Sequence, residues 1–117
     1  TRLYEALISK YYGSEDKSSL PDISKLEQFY LEELKHFQMI GEVMTKIGSD
    51  PTAITPSADV CGVAALGWVQ VISDPRTTFK QSLETILQAE LVDNACWEVL
   101  IELAESVGLS DVATQFQ

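Results

Sequence analysis

LEQFYLEELKHFQMIGEVMTKIG, residues 26–48, is the stretch on which the fold turns. Leu26, Phe29, Tyr30, Phe37, Ile40, Val43, Met44 and Ile47 recur every three or four residues. That is the period of one amphipathic helix with an apolar stripe. Ser19, Pro21 and Asp22 supply its start, an S-x-x-D signal with proline in the first turn, and Gly48 supplies its stop. Two polar residues interrupt the stripe. Glu33 lies four residues before Phe37 and seven before Ile40, and His36, the single histidine of the chain, lies three after Glu33 and four before Ile40. Glu32 and Lys35 point away from this face. An unpaired carboxylate on an apolar face is expensive to bury. A metal ion removes that cost, because Glu at i and His at i+3 project together and can bind one ion. The plainer alternative is a polar pair satisfied by hydrogen bonds in or beside the core.

On the N-terminal side, residues 1–12 read as the last part of a helix ended by Gly13, followed by the polar loop GSEDKSSLPD at 13–22. On the other side, GSDPTAITPSADVCG at 48–62 carries Gly, Pro and Ser and breaks regular helix. VAALGWVQVI at 63–72 is short and apolar, and its surroundings favour a short buried helix. Asp74 as N-cap and Pro75 at the first position predict another long helix, running to about Val107 and ended by Gly108. Its stripe is Phe79, Leu83, Ile86, Leu87, Trp97, Leu100, Ile101 and Ala104. Ser110 then caps a helix barely begun. The class is all-α, one domain over 1–117, with a long crossover between the second and third helices, which is bundle architecture. The chain opens in mid-helix and stops soon after starting another, so it reads as a piece of something longer.

The third helix carries an acid in its stripe as well. Glu90 lies three residues after Leu87, four after Ile86 and seven before Trp97, with Asp93 and Asn94 one turn later. Glu33 is roughly 11–14 residues from the start of its helix and Glu90 about 15 from the start of its own, so each lies roughly 17–22 Å along its axis. If the two helices run parallel, the two carboxylates share a level.

Composition bounds the rest. A chain of 117 residues, 45% hydrophobic and 22% charged, can bury one core and is not of disordered type. A net charge of −10 argues against nucleic acid and anionic membrane surfaces as partners, since both call for basic patches. Cys61 and Cys96 form no CxxC and sit among small or apolar neighbours, so both are expected as buried hydrophobes in a reducing, cytoplasmic setting. No apolar run approaches the ~20 residues of a membrane span. One histidine and the absence of a P-loop, Rossmann or GxSxG pattern argue against nucleophilic hydrolysis.

The segments EELKHFQMIGEVMTKIGSDP and ILQAELVDNACWEVLIELAESVG, with the order of helix pair, long crossover and second pair, resemble the ferritin-like superfamily, the group of bacterioferritins, rubrerythrins and related di-iron carboxylate bundles. In that family two helices each give a Glu and two give a Glu-x-x-His. The resemblance implies Glu33 as a bridging glutamate, His36 as a terminal ligand, Glu90 as the lone glutamate of the third helix and Glu5 as the first-helix acid, with Asp93 and Tyr30 as supporting neighbours. The fourth-helix Glu-x-x-His has no counterpart, so the chain supplies at most half to two-thirds of such a site. The implied cofactor is iron in a di-iron site, with Mn or Zn as competitors. The implied activity is binding iron and oxidising it with O2 or peroxide, in a homodimer or larger homo-oligomer. A different class stands beside it: a metal-poor helical interaction or oligomerisation module that keeps the fold.

Overall fold

A computed structural model describes residues 1–117 as five helices: α1 Arg2–Gly13, α2 Ile23–Lys46, α3 Pro56–Ser73, α4 Phe79–Ser106 and α5 Ser110–Phe116. Helix covers 76% of the residues and no strand forms, so the chain is all-α. No helix is long and apolar enough to cross a membrane. The chain divides into two compact units, Thr1–Ile86 and Leu87–Gln117, and α4 runs through the boundary.

Two helix stops follow directly from glycine. At the end of α2, Gly48 adopts φ +82° while its N–H bonds Thr45 O at 3.0 Å and the Ser49 N–H bonds Met44 O at 2.9 Å. At the end of α4, Gly108 adopts φ +78°, with Gly108 N–H to Glu105 O at 3.0 Å and Leu109 N–H to Ala104 O at 2.9 Å. Each is a Schellman closure, which satisfies the last free carbonyls and needs a left-handed residue. A Cβ at Gly108 would meet nothing within 4 Å, so replacement there strains the backbone without a clash. Gly108→Ala is expected to cost about 1–2 kcal/mol, seen as a lower urea midpoint with helix content unchanged by circular dichroism. Gly13, by contrast, is simply the last residue of α1 and does not take a positive φ.

Three helix starts differ from expectation. α2 is capped by Asp22, whose carboxylate accepts the Ser24 N–H at 3.0 Å, and Ser19 lies in the loop. Leu20 precedes Pro21, and a residue before proline is driven out of the helical region, so the helix cannot begin until the proline is passed. The link between the long helices holds not a short buried helix but α3, 18 residues long, with Thr55 Oγ1 accepting the Ala58 N–H and Pro56 in the first turn. α4 begins at Phe79 and not after Asp74. Thr78 Oγ1 accepts the Gln81 N–H at 3.2 Å and Gln81 Oε1 accepts the Thr78 N–H at 2.9 Å, a capping box. Asp74 instead closes α3 and grips Arg76 through its N–H, Nε and Nη2 at 2.8, 3.0 and 2.7 Å. These bonds hold the Asp74 carboxyl below its ordinary pKa, the Arg76 side chain first and its backbone N–H second.

The first unit is built around α1, which packs against both α2 and α3. Tyr4, Leu7, Leu26, Ile72, Phe79 and Ile86 form its core, with Tyr11, Ile23, Tyr30 and Leu83 packed against them. Tyr11 meets Phe79 edge-on at 5.9 Å. Lys10 Nζ donates to Asp74 O at 2.9 Å and to Thr77 O, tying α1 to the link between α3 and α4. In the second unit Ala104, Val112 and Ala113 are buried and Trp97 packs edge-on against Phe116 at 5.4 Å, so α5 folds back on α4.

The predicted stripe of α2 is only partly covered. Leu26 and Val43 are buried, yet Phe37 is 73% exposed and Phe29 and Ile47 are exposed as well. α1, at 12 residues, spans about 18 Å against about 36 Å for the 24 residues of α2, so it cannot cover the whole face. The two cysteines correct another expectation: Cys61 on α3 and Cys96 on α4 are both exposed. α3 buries only Ile72, near its C-terminal end, so most of its apolar residues face outward.

Candidate functional site

On α2 the backbone alone brings Glu33 and His36 together, since residues three apart lie on one helical face. Glu33 Oε1 stands 3.1 Å from His36 Nδ1. The pair is partly solvated, with the Glu33 side chain 24% and that of His36 45% exposed, so it is not the buried polar pair on an apolar face that the spacing suggests. The separation is nevertheless what chelation requires. Two N/O donors each about 2.1 Å from one ion, subtending about 90–110°, stand about 3.0–3.4 Å apart.

One turn earlier on α2, the Tyr30 hydroxyl donates to Glu5 Oε1 at 3.1 Å. That bond, and then the charge of Glu5, push the Tyr30 phenol above its ordinary pKa, so it remains a proton donor. Tyr4 and Phe29, with ring centres 6.2 Å apart, hold the two helices in register. Glu5 is thus brought beside α2 near the level of Tyr30, one turn from Glu33, and its carboxylate is engaged by the phenol.

The third-helix candidates lie in the second unit. Glu90 is half-buried on α4. Asp93 is exposed and accepts the Trp97 indole N–H at 2.9 Å. It therefore orients the ring that packs on Phe116, a structural task within α4 and α5. Across the whole chain no three His, Cys, Asp or Glu side chains converge in a way that could hold a metal ion. The expected residues thus resolve into the pairs Glu33–His36 and Tyr30–Glu5, while Asp93 is taken up by Trp97 and Glu90 joins no cluster of that kind. Two donors are fewer than the three or four protein ligands that tight sites employ, so these residues as arranged do not fit a di-iron centre.

The residue that sequence reasoning passed over is Lys10. Its bonds to two carbonyls more than sixty positions away leave no local signature. The Thr78-x-x-Gln81 box is legible by spacing, but Asp74, four residues before Thr78 and followed by Pro75, offers a competing start. No family model, curated protein or solved structure matches this chain.

Proposed function

We propose that this chain is a ferritin-like helical protein whose α2 carries a carboxylate–imidazole anchor for iron, with Mn or Zn as competing metals, and that it serves in binding iron and oxidising it with O2 or peroxide. The observation supporting this reading is the 3.1 Å between Glu33 Oε1 and His36 Nδ1, a separation at which both donors reach one ion. Hard carboxylate oxygen with imidazole suits iron among the common divalent metals. Further ligands must come from outside α2, and Glu5, on α1 of the same unit, is the acid for which that role is proposed. Two donors alone do not make an oxidation centre.

The test is metal content of the purified chain by mass spectrometry, for wild type and for Glu33→Ala/His36→Ala. About one iron per chain, lost in the double variant, is the expected result. Metal-free protein in both, with the same helix content, would remove the metal reading. A second reading, a helical interaction module without metal chemistry, is favoured by the many apolar side chains that α3 and α4 leave exposed, among them Val60, Val63, Leu91 and Val99.

A further inference from the structure

α4 has two apolar faces within the second unit, and only one of them is used. Trp97 and Ala104 face α5. The other face carries Val92, Cys96, Val99 and Leu103, spaced by four, three and four residues, which is the seam of a helix that meets another helix. With Leu91 these residues line one open, almost wholly apolar groove. They are far from buried: Leu91 and Val99 are each 64% exposed.

The charge beside this groove is of one sign. Glu98, Glu102 and Glu105 recur at spacings of four and three, so they follow the seam along one edge. None of the three makes an ion pair. Lys80 is the last basic residue of the chain, whereas residues 87–117 hold Glu90, Asp93, Glu98, Glu102, Glu105 and Asp111. A second copy laid on this face would set acid against acid with no base to relieve it, and like charges placed opposite one another disfavour a partner. The homo-oligomer expected from sequence would therefore use a different face, and α3, with Asp59 as its single charged residue, is one. Anionic lipid and nucleic acid are disfavoured on the α4 groove for the same reason.

We propose that the α4 groove is a docking site for an amphipathic helix of another protein, one whose apolar stripe is bordered by Lys or Arg. The stripe fills the channel between Leu91 and Leu103, and the basic border lies against Glu98, Glu102 and Glu105. Helix-in-groove recognition of this kind draws affinity from the apolar anchors, with the charged rim selecting the partner and speeding encounter.

The probe is a designed helical peptide of about 20 residues, with leucines at seam spacing and lysines on both borders, and a twin with glutamates in place of the lysines. Binding of each labelled peptide to the full chain is read by fluorescence anisotropy at low and at physiological salt. The lysine peptide is expected to bind at least about tenfold more tightly than its twin, and less so as salt screens the rim. Val99→Ser/Leu103→Ser, at exposed positions outside the core, is expected to abolish this binding although every charge is kept. Glu98→Lys/Glu102→Lys/Glu105→Lys is expected to reverse the preference between the peptides. Both variants are expected to keep their helices, as checked by circular dichroism. Equal binding of the two peptides, no binding of either, or lysine-peptide binding that survives the serine variant would overturn the proposal. So would a sedimentation result in which the wild-type chain is a dimer that the serine variant dissociates, since the groove would then belong to a second copy.

Discussion

Truncating Leu7 to alanine is expected to lower the unfolding free energy by about 2–5 kcal/mol. Leu7 and Ile72 are the two large aliphatic side chains of the chain with no exposed surface, and both belong to the cluster that joins α1, α2, α3 and the start of α4. Removing the isobutyl group loses its transfer from water and also leaves a void, because the other members of the cluster, Tyr4 on α1, Leu26 on α2, Ile72 on α3 and Phe79 and Ile86 on α4, are held by four helices and cannot all move inward together. A small domain has only about 5–15 kcal/mol of stability in total, so this loss takes a large share of it. Urea denaturation followed by circular dichroism measures it. Ile72→Ala is expected to fall in the same range. The double variant is expected to cost less than the sum of the two, because residues sharing one cavity do not act independently. A change below about 1 kcal/mol for Leu7→Ala would mean that α1 is not the centre of this unit.

Replacing Lys10 by methionine is expected to cost about 2 kcal/mol. Methionine keeps most of the aliphatic stem, so the change isolates the ammonium and its two bonds. Lys10 Nζ reaches Asp74 O and Thr77 O, carbonyls that flank the turn carrying Pro75 and Arg76. Hydrogen bonds from a charged donor contribute roughly twice what neutral ones do, and although Asp74 O keeps the Thr77 N–H, Thr77 O loses the Lys10 donor and adds a desolvation penalty. The effect is predicted in stability and also in local protection. Amide exchange at Thr77 and Ser82, whose N–H groups bond Asp74 O and Thr78 O, is expected to speed up more than exchange in the middle of α2. Uniform acceleration everywhere would show that Lys10 merely packs, without clasping the turn.

Much of the local structure was readable from spacing alone. The stops at Gly48 and Gly108, the amphipathic run of α2 and the length of α4 all rest on interactions within about one turn, and those are written in neighbouring residues. The Glu33–His36 pair was legible for the same reason, because residues three apart on a helix meet whatever surrounds them. Where two local signals compete, spacing does not choose between them. Ser19 lost to Asp22 because Pro21 forbids helix at Leu20, and Asp74 lost to Thr78 because its carboxylate is occupied by Arg76. Cys61 and Cys96 were expected inside on the strength of apolar neighbours, but neighbours in sequence on a helix point in all directions and say nothing of which face is covered.

Alone, the amino-acid sequence therefore determined the all-α class, the two glycine stops and the pairing of Glu33 with His36, since each depends on contacts between residues close along the chain. Tertiary structure alone decided that Leu7 and Ile72 sit at the centre, that Lys10 spans to Asp74 and Thr77, that Tyr30 engages Glu5, and that one apolar face of α4 is covered while the other lies open. Those outcomes depend on which helix faces meet. That choice is made by apolar burial, which is non-directional and acts between segments distant in sequence, so no local pattern encodes it.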